Sequence, residues 1–206
     1  MDLKTLERRF GSRFIKIIED SPTLKKDLRA LFRLGTEIHR WNGKTGAYSR
    51  SRPQEREGST IVLGSNDSAV TKAIHLAHEA YHVLYGLTPD SPDPRKISRE
   101  RYISMGIQEE TRAFIHQVKV ARELWDSGNH ALSASDLHVM LVYETGGYAD
   151  MRLEVMEFES SVNGKKYPVS YGDVWDQALK ERRKLLRDRR ARRAQTRSGQ
   201  YSERAA

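Results

Sequence analysis

Apolar residues recur every three or four positions through the first part of the chain, a spacing typical of amphipathic helices. The members of this pattern are Leu3, Leu6, Phe10, Phe14, Ile17 and Ile18. The pattern predicts helices over residues 2–20 and 22–34. Ser21-Pro22 separates them, because proline suits the first turn of a helix and is disfavoured in its interior.

The pattern changes after residue 34, where Gly, Ser, Arg and Asn replace the apolar repeat. Asn42-Gly43 and Thr45-Gly46 are turn signals, and the residues around them predict short strands at 36–41 and 59–63. Residues 64–68 then supply a turn and a cap for a helix that runs to about Leu84.

The second half of the chain predicts further helices. In order, the predicted elements are a loop at 87–105, a helix at 107–125, a helix from Ser133 or Ser135 to about Tyr143, a helix at 148–160, a turn or short hairpin at 163–170, a helix at 172–194 and disorder at 196–206. The fold class predicted is α+β, predominantly helical, with a small sheet beside the helix that ends near Leu84. Residues 1–178 are predicted to form one domain and 179–206 a basic, helical to disordered tail.

Charge is distributed unevenly along the chain, whose net charge is +8. The segment from Lys180 onwards holds 11 of the 36 basic and 3 of the 28 acidic residues, which leaves 25 of each sign in the rest. The body therefore gives no electrostatic indication of nucleic-acid binding. The tail can bind an anionic partner, either nucleic acid or a membrane surface, or it can be a solvated helix.

The chain has no cysteine, so a metal site has to use His, Asp or Glu. Its N-terminus lacks the apolar segment of a secretory signal, and no apolar run approaches the roughly 20 residues of a transmembrane helix. The sequence thus predicts a cytoplasmic protein, or one exported by an apparatus that needs no cleavable signal.

One motif carries chemistry: His78-Glu79-Ala80-Tyr81-His82, a complete H-E-x-x-H inside a predicted helix. Residues four apart lie one turn above each other, so both imidazoles can bind one ion. The adjacent Glu79 can take a proton from the attacking water. A polar stripe of His75, His78, Glu79 and His82 beside an apolar one supports a site at this helix, predicted to bind Zn²⁺.

A catalytic zinc usually takes three protein ligands, and the next predicted helix offers Glu109 and Glu110. Periodicity favours Glu110, which shares its face with Phe114 and Gln117, the face expected to pack inward. Glu109 shares a more polar face and is the alternative. His116 is a further alternative ligand.

H-E-x-x-H followed by a helical E-x-x-A, here Glu110 to Ala113, resembles the zincin metallopeptidases with a glutamate third ligand. These include small bacterial toxin and effector domains and the peptidases that cleave phage-type repressors. The resemblance covers about residues 59–125 and implies a zincin-like fold, with His78, His82 and Glu110 as zinc ligands and Glu79 as general base. Phe114 stands where many of these families carry Asp or Asn.

The resemblance also implies a residue that stabilises the oxyanion of the reaction, for which four side chains are candidates: Tyr85, Tyr143, Tyr148 and His138. His75 is a candidate to line the substrate site. The strand at 59–63 is a candidate edge to hold an extended peptide.

Three functions compete. The favoured hypothesis is a zinc-dependent peptidase acting on a protein or peptide. The second is a non-enzymatic protein that binds nucleic acid or another partner through its basic tail and whose H-E-x-x-H is incidental. The third keeps the metal and hydrolyses a non-peptide amide.

Overall fold

The computed structural model describes residues 2–52, 55–86, 96–160 and 163–203. The helices among them are α1 (Leu3–Phe10), α2 (Ser12–Glu19), α3 (Pro22–Arg33), α4 (Ala69–Leu84), α5 (Arg99–Asp126), α6 (Ala134–Glu157) and α7 (Tyr167–Glu203). The strands are β1 (Glu37–Trp41), β2 (Ala47–Arg52) and β3 (Glu55–Gly64). This mostly helical chain with one small sheet agrees with the predicted α+β class.

The first predicted helix is wrong as a single element, because Gly11 divides it into α1 and α2. Gly11 has a φ of +89°, a conformation that glycine adopts without the penalty that a side chain brings. The predicted break before α3 is confirmed. The Ser21 side chain accepts a hydrogen bond from the Leu24 backbone, and Pro22 lies at the first helical position.

The sheet has the order β1-β3-β2. β1 runs parallel to β3 and β2 runs antiparallel to it. The sequence pattern missed β2, whose polar letters were interpreted as part of a turn region. It also predicted the strand at 59–63 as an edge, which is wrong, because β3 is the central strand and β2 lies beside it.

The helix that carries the motif, α4, runs through the main hydrophobic core. Ala73, Ile74, Leu76 and Ala77 are fully buried in it, among apolar side chains of α1, α2, α3 and the sheet. Ser68 caps the start of α4 by accepting a hydrogen bond from the Thr71 backbone. The predicted turn and cap are therefore confirmed, and a rigid helix presents the motif.

The predicted loop at 87–105 is wrong in its last part, because α5 already begins at Arg99, with Ser98 as its cap. The rest of that prediction falls largely on residues 87–95, which lie outside the described residues. α5 packs against α4, α6 and α7. A second apolar cluster forms around it, with Ile107, Val139 and Met151 among its buried members.

The two predicted helices after residue 133 form one element, α6, with a kink at Gly147 (φ 66°, ψ −149°). The prediction of a break there is confirmed, and of the two predicted caps, Ser133 and Ser135, the structure has Ser133. Glu159 and Lys166 form an isolated antiparallel bridge, in partial agreement with the predicted hairpin.

The final helix starts earlier and ends later than predicted. α7 begins at Tyr167, and it continues to Glu203 where disorder was predicted from residue 196. It crosses the predicted domain boundary at residue 178 without a break, and that boundary stays a prediction. None of the helices in the described parts of the chain combines the length and the apolar character needed to cross a membrane.

Candidate metal centre

Three side chains from two helices point at one another. Nε2 of His78 lies 3.1 Å from Nε2 of His82. Oε2 of Glu110 lies 3.3 Å from the first of these nitrogens and 3.4 Å from the second. His78 and Glu110 are only 7% and 6% exposed. The structure thus brings the three predicted ligands together as a group that could hold a metal ion.

The spacing of these atoms can be compared with a known coordination geometry. Zinc bonds to nitrogen and oxygen measure about 2.0–2.2 Å, and tetrahedral angles then separate neighbouring ligand atoms by about 3.3–3.6 Å. The three observed separations, 3.1, 3.3 and 3.4 Å, are close to that range. Oε2 of Glu110 is also buried without a hydrogen-bond partner in the described chain. A metal ion or a protonated imidazole can compensate a buried carboxylate oxygen of this kind.

Glu109, the alternative ligand, lies on the outside of the same group. Its Oε1 is 2.9 Å from Nδ1 of His82, the ring nitrogen that does not face Glu110. A carboxylate at Nδ1 holds a proton there and leaves the lone pair of Nε2 for a metal. Geometry therefore separates the two acids: Glu110 faces both imidazoles, and Glu109 contacts the outer nitrogen of His82.

Tyr171, near the start of α7, supplies a comparable contact to Glu110. Its hydroxyl donates a 2.7 Å hydrogen bond to Oε1, so that Oε2 is the oxygen that faces the two histidines. The close approach depends on Gly106 of α5, because a Cβ at that position would lie 2.6 Å from the Tyr171 ring. The Tyr171 ring can therefore pack directly on the α5 backbone at Gly106, which places its hydroxyl at the Glu110 carboxylate.

His78 has no matching polar support. Its Nδ1 is buried without a hydrogen-bond partner among the described residues, and the ring of Phe114 packs edge-on against it, with centroids 4.6 Å apart. Phe114 also contacts Phe158. Apolar packing rather than a hydrogen bond therefore fixes the orientation of this imidazole.

The charges of the group are strongly coupled. Burial opposes ionisation of Glu110, but the adjacent His82 and His78 outweigh it and lower the pKa of Glu110 well below its ordinary value. Burial likewise opposes protonation of His82, but Glu110 and Glu109 raise the pKa of His82 well above its ordinary value. Glu110 is thus held ionised, as a metal ligand has to be, whereas a metal that binds His82 has to displace a proton from it.

Glu79 lies beside the candidate ligands without belonging to them. It is 7% exposed and borders two neighbouring cavities, each of about 260 Å³. One cavity contains the candidate metal ligands and is flanked by Ala47, Tyr48 and Ser49 of β2. The carboxylate of Glu79 is therefore placed where a bound molecule can reach it.

Tyr167 lines both cavities as well, and sequence reasoning missed it together with Tyr171. Burial, followed by the nearby Glu110 carboxylate, raises the pKa of both phenols well above the ordinary value. The available signal was their spacing of four residues after the turn at Asn163-Gly164, which places both on one face of a helix.

The candidates named for oxyanion stabilisation have other neighbours. The hydroxyl of Tyr85 donates to Asp27, and His138 pairs with Glu154 at an exposed position. Tyr143 packs against the second apolar cluster, and Tyr148 is 41% exposed. The structure does not bring these four side chains to the candidate metal centre.

His116 and His75 differ in their relation to the site. Nε2 of His116, the further alternative ligand, lies 2.6 Å from Asp27, and His116 does not belong to the group formed by His78, His82 and Glu110. His75 lines the second cavity, together with His78 and Glu79. Its Nδ1 is 3.3 Å from Asp67, without the geometry of a hydrogen bond.

Comparison of the chain with protein-family models, with curated protein sequences and with solved structures gave no match.

Proposed function

We propose that this protein is a zinc-dependent hydrolase that cleaves peptide bonds. The observation that carries the proposal is the convergence of His78, His82 and Glu110, whose three facing atoms have nearly the spacing of tetrahedral zinc ligands. The set of two imidazoles and one carboxylate leaves one position of a tetrahedron for water, as in catalytic rather than structural zinc sites.

Glu79 is the general base of this proposal. Zinc, when bound, supplies Lewis acidity, which polarises a scissile carbonyl and brings the pKa of water to about 7. Glu79 accepts the proton of the attacking water on its carboxylate and then delivers it to the leaving amine. Its low exposure and its place at the border of both cavities suit a group that moves protons away from bulk solvent.

Tyr167 is the donor to the negative charge that develops on the carbonyl oxygen. A tyrosine is protonated at neutral pH, and burial and the nearby Glu110 raise the pKa of Tyr167 further, so the hydroxyl can donate a hydrogen bond. It lines the cavity that contains the candidate ligands, which the four candidates predicted from the sequence do not. This assignment replaces Tyr85, Tyr143, Tyr148 and His138.

A peptide substrate is supported by β2. This strand follows β3 at the end of the sheet order, and its first three residues, Ala47, Tyr48 and Ser49, border the cavity with the candidate ligands. An extended peptide can add to a strand in such a place through main-chain hydrogen bonds. A small non-peptide amide lacks the main-chain groups that would pair along this strand.

The test is zinc content per chain, measured by elemental analysis after identical purification of wild type, His78→Ala, Glu110→Ala and the surface control Glu144→Ala. We expect about one zinc in wild type and in the control, and a strong loss in the two ligand variants. Hydrolysis of a peptide library by the zinc-loaded wild type completes the test.

Two results would count against the proposal in different ways. If wild type contained no zinc even after reconstitution at neutral pH, the proposed enzymatic function would be contradicted. The alternative, binding of an anionic partner through the basic part of α7, would then be favoured. Zinc at the expected level together with hydrolysis of amides but not of peptides would keep the metal centre and change the substrate.

A further inference from the structure

The second cavity beside the candidate metal centre has a chemical character of its own. It measures about 260 Å³ and lies between α4, α5, the start of α6 and the segment before α7. Ala47, His78, Glu79 and Tyr167 border both this cavity and the one that contains the ligands. A side chain next to a bond held at the metal can therefore enter it.

One part of the cavity lining is apolar. Phe114, Val139 and Phe158 contribute to it, and the rings of Phe114 and Phe158 pack together with centroids 5.1 Å apart. Val139 is only 2% exposed and is anchored in the second apolar cluster. A surface of this kind favours the methylene stem of a long side chain.

The other part of the lining is polar and carries negative charge. Asp136 and Glu159 line the cavity besides Glu79, and the described residues of the lining, which include His75, contain no Lys or Arg. Asp136 is 4% exposed and accepts hydrogen bonds from Ser133 and Gln117. Those donors are neutral, so within the described part of the chain no cation is hydrogen-bonded to Asp136.

The ring of His78 also borders this cavity. Its Nδ1 is buried without a hydrogen-bond partner in the described chain, while its Nε2 faces Glu110. A molecule in the cavity therefore meets the ring of His78 and not a free polar atom of it, so selection in this cavity depends on the side chain that enters it.

We infer that this cavity selects a substrate with lysine or arginine next to the cleaved bond. The apolar wall takes the stem of that side chain, and Asp136 and Glu159 take its cationic head. The inference rests on the proposed function, because it assigns a side chain to the residue that flanks the scissile bond. An acidic side chain would face three carboxylates, and a short one would leave the cavity unfilled.

The first experiment maps cleavage sites by mass spectrometry in a peptide library digested with the zinc-loaded full chain. We expect Lys and Arg to be enriched at one position flanking the cleaved bond. Glu159→Lys places a cation at an exposed position and leaves the metal ligands intact. It should lower kcat/KM for these peptides at least about tenfold and change norleucine analogues little. Glu144→Lys, a surface charge reversal on α6, is the matched control.

A second measurement does not need turnover. Binding of argininamide and norleucinamide to the zinc-loaded wild type and Glu159→Lys is followed by NMR titration. We expect wild type to bind argininamide at least about tenfold more tightly than norleucinamide. We expect Glu159→Lys to bind the two amides with similar affinity. Asp136→Asn should lower the affinity for argininamide, and its circular dichroism spectrum checks that the variant is folded.

The outcomes separate the inference from the proposed function. Cleavage without a preference for Lys or Arg would contradict the inferred selectivity and would leave the proposed peptidase function intact. If wild type binds argininamide selectively, Glu159→Lys abolishes this binding and wild type cleaves no peptide, the inferred selectivity of the cavity is supported and the proposed peptidase function is contradicted. The absence of both cleavage and selective binding overturns both.

Discussion

Oε1 of Glu109 lies 2.9 Å from Nδ1 of His82, on the side of the imidazole opposite to Glu110. Two successive residues of α5 therefore act on one histidine of α4 from two directions. Because consecutive helical residues point about 100° apart, the histidine ring has to lie between them. This arrangement gives each of the two carboxylates a distinct role that can be tested.

Replacement of Glu109 by Gln should weaken zinc binding without abolishing it. The variant loses the charged partner of His82, and such outer contacts typically contribute about 10–100-fold to metal affinity. Competition with a chelator of known affinity measures the change, with Glu144→Gln as control. If Glu109→Gln lost zinc completely and Glu110→Gln did not, the two roles would have to be exchanged.

Replacement of Glu79 by Gln should separate metal binding from turnover. The amide cannot accept a proton, and general base catalysis typically contributes about 10²–10⁴-fold to the rate. We expect kcat to fall by about that factor, while zinc content stays near that of wild type. Full activity in this variant would contradict the assignment of Glu79 as the general base.

The two tyrosines of α7 should respond differently to removal of their hydroxyls. Tyr167→Phe is expected to lower kcat by about 10²–10³-fold, the usual loss of one oxyanion donor, with a smaller effect on zinc affinity than Tyr171→Phe. Tyr171→Phe should lower zinc affinity, because its hydroxyl holds Oε1 of Glu110. Steady-state kinetics and chelator competition on both variants distinguish these roles, and equal effects would contradict them.

Removal of zinc by a chelator should destabilise the wild type. A ligand that binds only the folded chain adds about 4 kcal/mol at a thousand times its dissociation constant. Thermal unfolding with and without zinc measures this, and we expect the midpoint of His78→Ala to be insensitive to zinc. Equal midpoints for the zinc-loaded and zinc-free wild type would argue against a specific site.

A contact away from the site predicts a stability effect independent of zinc. Glu123 of α5 accepts hydrogen bonds from the side chains of Ser21 and Thr23 and from the Thr23 backbone. Glu123→Ala leaves these donors at the start of α3 without their acceptor, at a cost of about 1–3 kcal/mol. Urea unfolding measures the loss, and the same loss should appear with and without zinc.

The spacing of residues along the chain predicts those parts of the site that one helix determines. His78, Glu79 and His82 lie within two turns of α4, and the inward face of α5 was enough to favour Glu110 over Glu109. Tyr167 and Tyr171 could not be predicted, because their place depends on how α7 packs across α5. The hydrogen bond from Tyr171 to Glu110 spans 61 residues of sequence.

The same reason explains the errors in the sheet. The polar residues of β2, such as Ser49 and Arg50, carry no clear alternation, and only pairing with β3 makes that segment a strand. The turns at Gly43 and Gly46, both with positive φ, were predictable because glycine favours that conformation locally. Local conformational preference was informative here, whereas pairing partners required the tertiary structure.

The contact of Tyr171 with Glu110 over Gly106 has a consequence for how the site is assembled during synthesis. Proteins are made from the N-terminus, so His78, His82 and Glu110 leave the ribosome before residue 171 has been translated. The candidate metal centre therefore acquires its last hydrogen-bond donor from the latest element to be made. A nascent chain that stops short of α7 carries every proposed ligand but not the group that orients the glutamate.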